Sequence, residues 1–125
     1  MTGNEFQELA LRTRNPDVGP YDLEVNAALG LAGEAGEFAD EIKKLHFQGH
    51  ELNADIREKI KLELGDIAFY IALACYAFGL ELDDVLEANI TKLTARYPNG
   101  FTVERSLNRS YQGKDRPKAE VSNAE

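Results

Sequence analysis

The sequence predicts an all-α protein whose four main helices form a bundle. No segment of useful length alternates apolar and polar residues with the period of two that a strand requires. Apolar residues instead recur at helical spacing, between capping residues and Gly or Pro stops. At 125 residues the chain has the size of a single domain.

The first two helices are predicted from their ends. Thr2 and Glu5 form a capping-box pattern that opens the first helix, and we expect this helix to end near Arg14, ahead of a proline. The second helix is predicted from about residue 21 to residue 47, and Gly49 is a suitable C-terminal stop.

The third and fourth helices follow the same logic. Asp55 with Glu58 repeats the capping pattern and opens the third helix, which Gly79 closes. The fourth helix is predicted to begin within two residues of Asp83 and to end at Tyr97, before a Pro-Asn-Gly turn.

The third helix contains an apolar run over residues 67–80, which is too short for a membrane span of about 20 residues. A helix that is apolar all round is surrounded by protein, either at the centre of a monomeric bundle or at a subunit interface. The interface is favoured, because a single layer of helices in so short a chain can hardly cover every side. The sequence therefore predicts a homo-oligomer, at least a dimer.

Composition argues against several functional classes. The chain has 14 Lys and Arg against 22 Asp and Glu, a net charge of −8, which disfavours a nucleic-acid-binding protein. Cys75 is the only cysteine, and the first residues lack the pattern of a signal peptide. We therefore expect a cytoplasmic protein that binds neither nucleic acid nor membrane. Residues 1–104 are predicted to form the helical domain, and residues 105–125 a mildly basic tail that we interpret as a solvated terminus.

Four acidic residues stand out, because they lie among small and apolar neighbours. They form two pairs at i, i+3 spacing, one on each of two helices: Glu34 with Glu37, and Glu63 with Asp66. Carboxylates on buried faces repel one another unless their charge is neutralised. An all-oxygen set suits Mg²⁺, with Mn²⁺ as the alternative, better than zinc or a di-iron centre.

Other residues near these acids leave alternatives open. Glu41 continues the stripe of Glu34 and Glu37, but an ordinary solvated helix face explains it equally well. The glycines of the second helix indicate a close approach, either of a neighbouring helix or of a substrate. His46 and His50 are interpreted as surface histidines.

Cations occupy matching stripes. Lys59 shares a face with Glu63 and Asp66, and the fourth helix presents Asn89, Lys92 and Arg96 at helical spacing. Acids that hold metal ions, combined with a Lys–Arg stripe on the next helix, suit a polyphosphate ligand.

These motifs resemble the ExxE…ExxD signature of the MazG-type all-α nucleotide pyrophosphohydrolases. The two halves are separated by 25 residues, and an N-x-x-K-x-x-x-R-Y sequence follows over residues 89–97. The resemblance covers roughly residues 20–101. It implies Mg²⁺-dependent hydrolysis of a nucleoside triphosphate, here expected to be a pyrimidine deoxynucleotide, to monophosphate and pyrophosphate. It also favours a tetramer over a dimer.

The resemblance assigns roles by position. The metal ligands would be Glu34, Glu37, Glu63 and Asp66. Glu37 would also orient or deprotonate the attacking water, and Lys59 would act on the phosphates as a catalytic and binding group. The remaining nucleotide-binding residues would be Asn89, Lys92, Arg96 and Tyr97. The alternative is a non-enzymatic helical interaction module that uses its acidic face to bind a basic partner.

Overall fold

The computed structural model describes residues 1–108, which form five helices and no strand. The helices are α1 (Gly3–Leu11), α2 (Pro20–Phe47), α3 (Ala54–Ala77), α4 (Leu82–Arg96) and α5 (Val103–Leu107). The predicted all-α class is confirmed, and α1 to α4 correspond to the four expected helices. The short α5 was not expected, because five residues carry no periodic pattern.

The helix ends show which capping predictions hold. The capping box of α1 is present: the Thr2 hydroxyl accepts from the Glu5 amide at 3.0 Å, and the Thr2 amide donates to the Glu5 carboxylate at 2.7 Å. At α3 the prediction is wrong, because the N-cap is Asn53, whose side chain accepts from the amide of Ile56 at 3.0 Å. Asp55 lies in the first turn, where its charge complements the helix dipole.

Gly79 ends α3, as predicted. Its φ of 68° lies in the left-handed region that glycine adopts without strain. The turn brings the amide of Leu80 to the carbonyl of Cys75 at 2.8 Å, which satisfies a carbonyl at the helix end.

The chain forms two compact units, Met1–Val85 and Leu86–Glu125. In the first unit α2 and α1 both pack on α3. Leu23 and Ala27 of α2 are buried against Leu73, and a second cluster joins Ala72 and Cys75 to residues of α1. These two contacts place α3 in the middle of the unit.

Hydrogen bonds from α1 hold the start of α4. The side chain of Gln7 is buried; its nitrogen donates to the carbonyl of Leu80 at 3.0 Å, and its oxygen accepts from the amide of Leu82 at 2.9 Å. The amide of Asp83 donates to the side chain of Asn4 at 2.9 Å. Two of the amides that a helix start leaves without partners are thereby satisfied.

The second unit contains the rest of α4 and α5. Tyr97 and Phe101 are in ring contact at 5.4 Å, and the Arg105 side chain donates to the carbonyl of Arg96 at 3.2 Å. Helix α5 spans the predicted boundary between residues 104 and 105. Most of the predicted tail, residues 109–125, lies outside the described residues.

Large apolar side chains remain exposed on a single chain. On α3 and the turn after it, Leu73 is buried, but Tyr76, Phe78 and Leu80 are exposed by 44%, 63% and 50%. Helix α2 adds an outward stripe of exposed residues at intervals of four: Tyr21, Val25 and Leu29. The apolar run is therefore only partly covered within a single chain.

No single helix among residues 1–108 has the length and hydropathy to cross a membrane. Helices α3 and α4 meet that test only when they are taken together as a bent pair, by length and composition alone.

Candidate functional site

Three of the four predicted metal ligands meet between α2 and α3. Glu34 and Glu37 project from one face of α2, and Glu63 faces them from α3. Carboxylate oxygens of the three side chains lie within 4.8 Å of one another. The i, i+3 spacing brings the first two together, and the packing of α2 on α3 supplies the third.

In this acidic cluster (Glu34, Glu37 and Glu63), the surroundings of Glu34 and Glu63 disfavour the ionised form of their carboxyl groups. Partial burial raises the pKa of Glu34 above 4.5, and the neighbouring charges of Glu37 and Asp66 raise it further. Burial likewise raises the pKa of Glu63, followed by the charges of Glu37 and Glu34. The cluster thus brings together carboxylates that repel one another in a partly buried site.

Asp66, the fourth predicted ligand, lies outside this group of three. It is exposed on α3, one turn beyond Glu63, and its charge raises the pKa of both Glu34 and Glu63. The side chain is therefore an electrostatic neighbour of the cluster.

One atom of the cluster tests whether a cation fits. The Oε2 oxygen of Glu63 is buried and has no hydrogen-bond partner among residues 1–108. A buried acceptor without a partner is costly, and a metal ion satisfies it. Since the donors are all carboxylate oxygens, the residues fit a hard divalent cation such as Mg²⁺ or Mn²⁺.

A group of ion pairs lies one helical turn from the acidic cluster, after Glu37 on α2 and before Glu63 on α3. Lys59 of α3 donates to the Oε1 oxygen of Glu41 at 2.9 Å, and Lys44 approaches the same oxygen at 3.5 Å. Lys44 also pairs with Asp40 at 2.9 Å, and Lys43 pairs with Asp40 at 3.0 Å. Here each carboxylate has at least two cationic partners.

Pairing shifts these pKa values in the opposite direction. The hydrogen bond from Lys59 is the main cause that lowers the pKa of Glu41, and the bonds from Lys44 and Lys43 lower the pKa of Asp40 to about 2. Asp40 in turn raises the pKa of Lys44. Asp40 and Glu41 are therefore ionised at neutral pH. Together with Lys43, Lys44 and Lys59 they form the paired group.

Sequence reasoning did not single out Asp40, Lys43 or Lys44, and it left Glu41 undecided. Glu41 is the most buried carboxylate described, at 6% exposure, so the solvated-face interpretation is wrong for it. Its place on the stripe of Glu34 and Glu37 was the available signal. Its partner Lys59 lies 18 residues away, a contact that helical spacing cannot reveal.

A cavity of about 440 Å³ opens beside the two groups. Its lining consists of Gly33, Gly36, Glu37, Asp40, Glu41, Lys44 and Glu63. A Cβ at Gly33 or Gly36 would meet no atom within 4 Å, whereas one at Gly30 would overlap the Tyr70 ring. The absence of a side chain at Gly30 therefore lets α2 approach Tyr70 of α3 closely, whereas Gly33 and Gly36 line the cavity.

The predicted residues of the fourth helix belong to the second unit. Asn89 and Lys92 are exposed, and Arg96 and Tyr97 are half-buried. The Arg96 guanidinium lies over the Tyr97 ring, 6.0 Å from its centre. Their association with the acidic cluster stays a prediction from the sequence pattern.

The two histidines are exposed, as predicted, and neither belongs to the acidic cluster. His46 contacts the ring of Phe47 at 6.4 Å between ring centres. The cluster is thus built from carboxylates alone, which excludes the mixed Glu–His donor set of a di-iron bundle for these three residues.

Comparisons with known proteins give consistent results. The sequence profile of the MazG nucleotide pyrophosphohydrolase domain matches residues 24–101. The chain is also 34% identical over 82 residues to the Gene 37 protein of Mycobacterium phage L5, covering 65% of this chain and 72% of that relative. No solved structure matches the chain.

Proposed function

The chain belongs to the MazG nucleotide pyrophosphohydrolase family, and from this premise we propose that it hydrolyses nucleoside triphosphates to nucleoside monophosphates and pyrophosphate. The observation that carries the proposal is the acidic cluster, in which three carboxylates converge and the buried Oε2 of Glu63 lacks a protein partner. This arrangement costs stability unless a cation binds.

Glu34, Glu37 and Glu63, joined by Asp66, would hold Mg²⁺, with Mn²⁺ as the alternative. Such an ion, when bound, would supply a water of lowered pKa and polarise phosphate oxygens. Glu37 is the exposed member of the three and lines the cavity, which supports a role in orienting the attacking water or accepting its proton.

Cationic side chains would bind the phosphates. Lys59 lies one turn from Glu63 on the same helix, and its side chain is 56% exposed, which supports a role in phosphate binding. Lys92 and Arg96 would stabilise charge on the departing pyrophosphate. Asn89 and Tyr97 would contact the nucleotide.

Pyrimidine deoxynucleoside triphosphates are the proposed substrates, on the resemblance to short, single-domain relatives. A panel of the eight common nucleotides, with pyrophosphate release measured in Mg²⁺, tests both proposals. Release from none of them contradicts the hydrolase proposal. Equal release from all eight contradicts only the pyrimidine preference.

We also propose that the active protein is a homo-oligomer, with a tetramer favoured over a dimer. The exposed Tyr76, Phe78 and Leu80, together with the outward stripe of α2, support this, because exposed apolar patches of this kind mark interfaces. Light scattering tests it: for a chain of 13.9 kDa, a mass of about 28 kDa supports a dimer and about 56 kDa a tetramer. The monomer mass contradicts the proposal.

The alternative, an interaction module with an acidic face, explains the exposed apolar residues equally well. It does not explain an internal acceptor without a partner. A panel that shows no hydrolysis, together with no stabilisation by Mg²⁺, would favour the module.

A further inference from the structure

Glu41 differs from the carboxylates of the acidic cluster in its partners. Its Oε1 oxygen accepts from Lys59 at 2.9 Å and lies 3.5 Å from the nitrogen of Lys44. The Glu41 side chain is almost fully buried, whereas the Lys59 side chain is 56% exposed. Glu41 is therefore the buried partner of the pair, and Lys59 is the more exposed one.

The location of this pair connects it with the site. Glu41 lies one turn beyond Glu37 on α2, and Lys59 lies one turn before Glu63 on α3. Glu41 and Lys44 line the cavity together with Glu37 and Glu63. The ion pair thus bridges the two helices at the edge of the acidic cluster.

Without Glu41 the lysine would have other partners. Glu63 and Asp66 follow Lys59 at i+4 and i+7 on the same face of α3. A flexible ammonium released from Glu41 would be attracted to these carboxylates and would compete with a cation for them. The pair with Glu41 holds the ammonium between α2 and α3 instead.

We propose that Glu41 is a positioning residue, which holds the Lys59 ammonium beside the acidic cluster so that it meets the phosphates of the substrate. This inference rests on the proposed function. It assigns a role in polyphosphate binding to a carboxylate that binds neither the metal nor the substrate.

The direction in which one substitution changes polyphosphate affinity distinguishes a positioning role from a purely electrostatic one. Glu41→Gln removes a negative charge from the wall of an anion-binding cavity, and that change alone should tighten polyphosphate binding. If Glu41 acts by holding Lys59, the same substitution weakens binding, because an unanchored lysine loses more rotamer freedom when it binds.

The experiment measures the binding of magnesium tripolyphosphate to the full chain by calorimetry. The variants are Glu41→Gln, Lys59→Gln and the double substitution. We expect each single variant to weaken binding about tenfold, and the double variant to bind no more weakly than Lys59→Gln alone. In hydrolysis assays the same changes should raise KM more than they lower kcat.

Glu58→Gln is the matched control, because Glu58 forms an exposed ion pair with Lys61 on α3 at 3.4 Å. We expect this control to bind like the wild type. Glu41→Asp keeps the charge but shortens the side chain by one methylene, so it tests position alone and replaces Glu41→Gln if that variant does not fold. It should also weaken binding.

The proposal would be overturned if Glu41→Gln or Glu41→Asp bound the probe as tightly as the wild type or more tightly. It would also be overturned if the double variant bound more weakly than Lys59→Gln by the same factor by which Glu41→Gln alone weakens binding. A wild type that does not bind the probe would contradict it as well. Binding that follows the expected pattern in a protein without hydrolytic activity would overturn the proposed function alone. The two proposals can thus fail separately.

Discussion

The acidic cluster and the paired group both contain carboxylates and lie between the same two helices, one turn apart. In the acidic cluster the pKa values of Glu34 and Glu63 are raised, because burial and like charges act together. In the paired group those of Asp40 and Glu41 are lowered, because lysines donate to them. Lysines pair with the carboxylates of the paired group, whereas the carboxylates of the acidic cluster lie against one another.

This difference identifies a binding site better than acidity does. Carboxylates that pair with lysines are explained by the fold itself and need no ligand. Carboxylates held together without such partners cost stability, and a protein retains them where the ligand restores it.

The largest effect should come from neutralising the acidic side of the site. We expect Glu37→Gln and Asp66→Asn each to lower turnover by more than about tenfold, since each loses a metal-binding or metal-orienting carboxylate. Circular dichroism should show unchanged helix content, because like-charge repulsion is relieved. Glu58→Gln, at an exposed glutamate on the same helix as Asp66, serves as the matched control. Near-normal turnover in both variants would place the site elsewhere.

Divalent cations should stabilise the fold through the acidic cluster. At a free concentration of 100 times its dissociation constant, a bound ion adds about 2.7 kcal/mol to the free energy of unfolding. Thermal melts with and without Mg²⁺ measure this. Glu63→Gln should shrink the shift, whereas Lys43→Gln, in the paired group, should leave it intact. An equal shift in all three proteins would mean that the ion binds elsewhere.

The glycines of α2 also differ from one another, in how tightly their surroundings are packed. Gly30→Ala should lower the free energy of unfolding by about 1–3 kcal/mol, because its Cβ overlaps the Tyr70 ring. Gly36→Ala should raise it by up to about 1 kcal/mol through helix propensity, since no atom lies near its Cβ. Chemical denaturation measures both, and a larger loss in Gly36→Ala would contradict the assignment of Gly36 to the cavity wall.

Local patterns predicted much of this molecule. Thr2 and Glu5 form their capping box because both partners lie within one turn, and the spacing of Glu34 and Glu37 requires only that α2 be helical. The start of α3 was missed by two residues, because Asn53 and Asp55 are both good N-caps and only the folded chain selects between them.

The points that the sequence left open depend on distant contacts. A glutamate at position 41 fits a solvated face or a buried one, and the choice is made by Lys59 and Lys44 after α2 and α3 have packed. The helical pattern of α2 likewise contained three similar glycines. Only the contact with Tyr70 distinguishes Gly30 from Gly33 and Gly36.

The smallest effect we predict is the response of the metal-free protein to pH. The raised pKa values of Glu34 and Glu63 mean that the folded state binds protons more tightly than the unfolded state, so stability should increase as the pH falls from 7 towards 4.5. Asp40 and Glu41 act in the opposite sense. Their pKa values are lowered in the folded state, from 3.8 for Asp40 and from 4.5 for Glu41. They therefore stabilise the fold fully only above these ordinary pKa values. The stabilisation is lost as the pH falls further, and for Asp40 this loss extends to about pH 2.

The melting temperature should therefore pass through a maximum in mild acid. Thermal melts in a chelator, from pH 7 to pH 3, measure the two limbs. Glu63→Gln should flatten the rise on the neutral side, because it removes one group with a raised pKa. Glu41→Gln should instead reduce the fall on the acid side, since the ion pair with Lys59 is already lost. A profile that falls steadily from pH 7 would mean that the acidic cluster is neutralised within the protein, and the contrast between the two groups would then disappear.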